Sequence, residues 1–282
     1  MNRVIKKKKI WMKVGKYSLL VLAVIILFFP FYWMLVTALS KRNVLLGNSS
    51  IFPQLKNLTI ENFQIIIRTK PILTWFTNSL IITLISTTLA VIVSTMAAYS
   101  MSRYKYRSVA LLGVFLLIVR MLPSTLLVIP LYMIFTKIHL INNFASLVIS
   151  NITFIIPFAT WMMKSYFDGI PKSMEEAARI DGCSRVQAAL KVVFPLTQPG
   201  IAATATYSII LSWSEFLFAR TFMLDPQKWT ITVGISSLIG EYTIIWGELM
   251  SAVAISIIPV AIVFIFLEKY MVAGMTSGAV KG

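Results

Sequence analysis

Six stretches of the chain are apolar almost throughout, at about Tyr17 to Leu39, Trp75 to Met101, Val109 to Phe135, Phe144 to Met163, Thr197 to Ala219 and Leu249 to Leu267. The polar residues collect between them. A helix needs roughly 20 consecutive apolar residues to cross a hydrocarbon core, and these stretches reach that length. The pattern predicts an all-α membrane protein with six transmembrane helices. It divides the 282 residues into a leading part, 1–73, holding a basic segment, the first span and an outside loop; a main part, 74–267, holding the other five spans; and a tail, 268–282. Within the first loop, LTIENFQIII has helical spacing and predicts a short surface helix after a turn at Pro53. The last outside loop, Thr221 to Glu248, is rich in Gly, Thr, Ser and aromatic residues and is large enough to contact a partner.

A composition 58% hydrophobic and 13% charged agrees with burial in lipid and departs from that of soluble domains. The net charge of +16 does not point to nucleic acid, because the basic residues lie between spans and not on a face interleaved with stacking aromatics. Their distribution orients the chain instead. With the amino terminus inside, segments 1–16, 102–108, 164–195 and 268–282 hold 17 Lys and Arg, while 40–74, 136–143 and 220–248, of nearly equal total length, hold 8. Positive charge stays on the cytoplasmic side, so both termini are expected there. The run from Tyr17 is too long for the apolar part of a signal peptide and no small-residue cleavage site follows it, which predicts a retained span.

Catalytic chemistry finds little support. Cys183 and His139 are the only residues of their kinds, which excludes an intramolecular disulfide, a cysteine metal cluster and a zinc-protease pattern. Gly15-Lys16 does not complete a phosphate-binding loop, because Ile10 stands where the pattern needs its first glycine.

The segment GIPKSMEEAARIDGCSRVQAALKVVFPLTQPG from Gly169 carries strong local signals. Ser173 and Glu176 have capping-box spacing just after Pro171, predicting the start of a short helix. Glu176, Ala177, Ala178 and Arg179 favour helix, and Gly182 offers the positive-φ position that ends one. Ser184 with Gln187 repeats the capping spacing, predicting a second short helix to about Val193, stopped by Pro195. Val186, Leu190 and Val193 form an apolar stripe on it, and Ala177, Ala178, Ala188 and Ala189 are small enough for close approach by another surface. The shape is that of a helix laid in a groove; the alternative is an amphipathic hairpin lying on the membrane.

The run Glu176-Ala177-Ala178, then Gly182, then Val192 and Phe194-Pro195 resembles the EAA signature of binding-protein-dependent ABC importer permeases. That pattern is E-A-A, three residues, glycine, nine residues, then I-x-L-P; here the spacing holds, with Val for Ile and Phe for Leu. IPKSMEEAARIDG, WSEF at Trp213 to Phe216 and the ending KYMVAGMTSGAVKG are similar to carbohydrate-uptake permeases of the maltose-transporter type, in particular their shorter six-span subunit. The likeness runs from about Thr74 to Gly282. Ser214 departs from it, since relatives commonly have asparagine there.

The resemblance implies the type I ABC importer permease fold, in the plasma membrane of a bacterium. It implies that segment 169–196 docks on an ATPase through Glu176, Ala177, Ala178, Arg179, Asp181, Gly182 and Pro195. It further implies a second permease subunit, two ATP-binding cassette subunits that carry ATP and magnesium, and an extracytoplasmic solute-binding protein. The chain itself would be no enzyme and would bind no cofactor. The tail from Ala273 is short and glycine-rich; composition suits a disordered end, and the resemblance a contact with the ATPase.

Charged residues within spans are costly and usually face a bundle interior or a wet cavity. Arg120 is one, ahead of Pro123, and suits a structural polar contact, an interfacial position or a place in the substrate path. Trp213 with Glu215 combines a ring and a carboxylate that could handle a sugar, although aromatic residues in spans more often pack. An importer of another polar solute, and a transporter independent of ATP, remain alternatives at this point.

Overall fold

The computed structural model describes residues 2–41, 55–240 and 244–279. Among them there is no strand, only two isolated bridges, Ser40 with Leu58 and Ile239 with Ile244. The helices are α1 (Asn2–Ala38), α2 (Glu61–Thr69), α3 (Ile72–Arg103), α4 (Arg107–Met121), α5 (Ser124–Lys137), α6 (Phe144–Asp168), α7 (Lys172–Ile180), α8 (Arg185–Ala188), α9 (Phe194–Leu196), α10 (Gln198–Trp213), α11 (Leu217–Phe222), α12 (Ile231–Ser236) and α13 (Trp246–Ala279).

Among the described residues five helical stretches are long and apolar enough to cross a membrane, α10 and α11 together making one of them, and a sixth span exists only if α4 and α5 count together. The single helix expected over Val109 to Phe135 is therefore corrected. α4 and α5 meet at an angle of 98° across Leu122-Pro123. Proline disfavours the helical region for the residue before it, and Leu122 takes the extended value ψ 123. With 15 and 14 residues, each half reaches about 22 Å, short of the ~30 Å apolar core. The expected span from Thr197 to Ala219 is present as Gln198–Phe222, one of the five, with its regular helix broken briefly where α10 ends at Trp213 and α11 starts at Leu217.

The chain divides into two compact units, 1–70 with 238–255 and 71–237 with 256–282. In the first, α1 buries only 6% of its apolar window. Its last carbonyls are free of helical partners, as at every helix end, and Asn62 on α2 donates to two nearby, Ala38 O and Ser40 O, both at 2.9 Å. The surface helix expected in LTIENFQIII is α2; the turn expected at Pro53 lies outside the described residues.

In the second unit α3 packs chiefly against α6 and α10. The buried face of α3 is mostly small: Ser79, Thr83, Ser86, Thr87, Ala90, Ser94, Thr95 and Ala98. α10 buries Gly200, Ala202, Thr204, Thr206 and Ser208. Lipid tails are as apolar as leucine, so hydrophobicity alone does not press such helices together; small residues allow close van der Waals approach. The large side chains Leu80, Ile81, Leu84, Ile85, Ile92 and Met96 accordingly face outward. At one end of α3, Trp75 Nε1 donates to Pro226 O at 2.8 Å and Asn78 Nδ2 to Trp229 O at 2.9 Å. At the other end lies the segment from Gly169.

Candidate functional site

Residues 169–197 fold as a helical hairpin. α7 starts at Lys172 with Pro171 as its cap residue and no side-chain cap bond. The capping box expected from Ser173 and Glu176 therefore does not form, because Ser173 already lies inside the first turn. α7 ends in a Schellman motif. Cys183 N donates to Ala178 O at 3.0 Å, Gly182 N to Arg179 O at 3.1 Å, and Gly182 takes φ +91, the left-handed geometry this motif requires. The second expected box is present: Ser184 Oγ accepts from Gln187 N at 3.2 Å, and Ser184 N donates to Gln187 Oε1 at 2.9 Å.

Pro195 does not stop the second helix. Residues Ala189–Val193 widen into a π-turn, and Phe194 N reaches back to Ala189 O. Proline has no N–H to give to the carbonyl four residues earlier and its ring crowds that carbonyl; the wider turn makes room, and the chain continues into α9 and α10. The π-turn also changes the phase of the expected stripe. Val186 and Leu190 are exposed, whereas Val193 is fully buried in a cluster with Ala98, Met163 and Phe167. Three of the four alanines, Ala178, Ala188 and Ala189, are buried within the chain, so their small size serves the hairpin's own packing.

What remains outward is a rim of Glu176, Ala177, Arg179, Asp181 and Gly182 with apolar Met174, Ile180, Val186 and Leu190; Ile180 is 86% exposed. Glu176 and Arg179 also edge a charged cleft of about 180 Å³ shared with Arg103, Lys172, Glu175 and Arg185.

The hairpin is held by residues that sequence reasoning passed over. Arg103 Nε donates to Glu175 Oε2 at 2.9 Å, with the two side chains 8% and 15% exposed. Tyr99 Oη donates to Glu175 Oε1 at 2.6 Å. The Tyr99 ring stands edge-on to Phe167 and Phe194, with centroids 5.7 and 5.9 Å away. A usable signal existed. Tyr99 and Arg103 are one turn apart at the end of a span, and Glu175 shares a helical face with Ala178.

The three residues singled out inside the membrane are not brought together. Arg120 places its guanidinium 3.8 Å above the centroid of the Phe158 ring, itself 4.4 Å from Tyr207. Trp213 is buried, its Nε1 donating to Ser256 O at 3.1 Å and its ring edge-on to Phe76. Glu215 turns both carboxylate oxygens onto the start of α11, accepting from Phe218 N at 2.7 Å and Ala219 N at 2.9 Å. It also lines a cavity of about 390 Å³ with Ser124, Asn151, Phe154, Ser214 and Phe216. Among the described residues no group of three or more His, Cys, Asp or Glu is arranged to hold a metal ion.

Comparison with known proteins gives consistent results. Residues 90–277 match the family described as "Binding-protein-dependent transport system inner membrane component". An inner membrane ABC transporter permease protein of Escherichia coli strain K12 is 32% identical over 98% of this chain and 99% of its own length. A trehalose/maltose transport system permease protein of Thermococcus litoralis is 34% identical over 93% and 94%. A crystal structure of a bacterial ABC transporter involved in import of the acidic polysaccharide alginate contains a chain of the same fold, with TM-score 0.80 at 20% identity over 92% and 96%.

Proposed function

Since the chain belongs to the family of inner membrane components of binding-protein-dependent transport systems, a multi-pass membrane assignment its apolar helices share, we propose that it carries a sugar or oligosaccharide inward at the expense of ATP hydrolysed by partner subunits. It works beside a second permease subunit, on two ATPases that bind ATP and magnesium, and receives solute from an extracytoplasmic binding protein. Several relatives are named for saccharide transport, among them the trehalose/maltose protein, which favours that cargo over other polar solutes.

The observation that carries the reading is the hairpin. Its turn is closed by a Schellman motif and a capping box, and it presents charged Glu176 and Arg179 beside exposed apolar Ile180, Val186 and Leu190. A surface of this kind fits a groove on another protein, with apolar anchors and a polar rim. ATP-driven closure of the ATPase pair moves the seated hairpin, and the spans exchange inward-facing and outward-facing arrangements; alternating access requires such rigid-body movement. Asp181 and Gly182 keep the two helices at their angle, and Pro195 holds the π-turn through which the hairpin joins α10. Glu215 and Arg120 stand along the solute path, with Trp213 packed behind it.

Gly182→Pro tests the assignment. Proline fixes φ near −65°, incompatible with +91, so the turn opens while the spans remain. Uptake of radiolabelled maltose and trehalose by cells holding the complete transporter is expected to be lost, with the chain still in the membrane. Uptake of a transported sugar at the unsubstituted rate in that variant would overturn the assignment.

A further inference from the structure

Chain connectivity ties the hairpin to α6 through Gly169–Pro171 and to α10 through the π-turn. Its covalent route to α3, whose end is Arg103, runs the long way through α4, α5 and α6. Yet α3 is the helix on which α6 and α10 pack, so motion in the hairpin has to reach α3 for the bundle to rearrange.

Arg103 stands at that junction. Beyond Glu175 on α7, its guanidinium donates through Nη1 to Phe167 O at 3.1 Å, in the last turn of α6, and through Nη2 to Ile170 O at 3.5 Å, in the link between α6 and α7. Nη1 also reaches Ser102 Oγ at 3.2 Å. Lys172 Nζ returns a bond to Arg103 O at 3.3 Å. One planar group thus joins three helices, and Tyr99 steadies the carboxylate from the second side. Such a buried pair is weak evidence of stability, because desolvating both charges offsets their attraction. Its value is geometric: a guanidinium fork with fixed partners holds three elements in one arrangement.

We propose that Arg103, with Tyr99 and Glu175, is a latch that makes the hairpin, the end of α6 and the end of α3 one moving body. These are positioning residues; they touch neither ATP nor solute. The proposal rests on the hairpin being the surface that receives the ATPase.

The test is a distance measurement in the assembled transporter. Cys183 is the chain's own cysteine, and Ser100→Cys adds a second on the exposed side of α3. With partner cysteines removed, a spin label on each reports the hairpin-to-α3 distance without nucleotide and with ATP and magnesium. In the otherwise unsubstituted chain that distance should stay fixed between the two states. In Arg103→Ala it should shift and broaden with ATP. Glu175→Gln and Tyr99→Phe, which keep the size and shape of each side chain, should show the same shift in smaller degree.

A distance that behaves alike with and without these groups, in an assembly that holds its ATPases, overturns the latch alone. A purified assembly of the unsubstituted chain that holds no ATPase overturns the functional reading, and the latch with it.

Discussion

Gly182 and Gly234 exclude side chains for opposite reasons. A Cβ at Gly182 would meet nothing within 4 Å, but φ is +91, so the obstacle is the residue's own backbone. Gly234 has ordinary dihedral freedom, but a Cβ there would overlap the Trp75 ring, which is itself pinned by its bond to Pro226 O. Gly234→Ala should therefore lower stability by about 1–3 kcal/mol, the usual effect of overpacking a well-filled site. A lower melting temperature in detergent, with hairpin exchange rates unchanged, would bear this out; an unchanged melt would show that Trp75 can yield. Glu215 makes a related point about charge. A carboxylate in an apolar span reads as a candidate for solute or ions, yet it receives two amides at the start of α11, where helix N–H groups lack partners and favour negative charge. No feature of WSEF alone distinguishes those outcomes, because the choice depends on where the backbone turns after Trp213.

The two serines of the hairpin invite a matched comparison. Both have the spacing of a capping box, and only Ser184 makes one. Ser184→Ala should destabilise α8 by about 1 kcal/mol, the usual effect of losing an N-cap. Ser173→Ala should stay within about 0.5 kcal/mol, as for most exposed positions. Hydrogen exchange of the amides of residues 185–190 in the folded protein distinguishes them: faster in the first variant, unchanged in the second. Equal exchange in both would contradict the cap assignment. Prolines show the same dependence on context. Pro123 ends α4, while Pro130, Pro157 and Pro259 lie inside helices that continue. Each removes one N–H and crowds one carbonyl, and neighbouring helices or a widened turn can absorb that.

Orientation in the membrane is accessible through Cys183, the sole cysteine, partly exposed at the hairpin turn. If the positive-inside bias sets topology, a membrane-impermeant maleimide should label it in inverted vesicles and not in right-side-out ones; the reverse pattern would place the hairpin outside. Much of the architecture follows from short-range rules. Apolar run length gives most of the spans, and the glycine and serine signals give the hairpin, because hydropathy and cap chemistry act within a few residues of their source. Tail position illustrates the limit: composition suited a disordered end, whereas the backbone of α13 stays helical to Ala279, and residues 280–282 lie outside the described residues. Arg103 entered the sequence reading only as one of the inside charges, yet it is the group that joins α3, α6 and α7. Its partner Glu175 is 72 residues away, and the packing of α6 against α3 is what brings α7 beside the end of α3. Pairing of that kind depends on which distant groups packing brings within about 3 Å. Local patterns therefore specify the parts of this protein, and close packing of small residues along α3, α6 and α10 determines how those parts are joined.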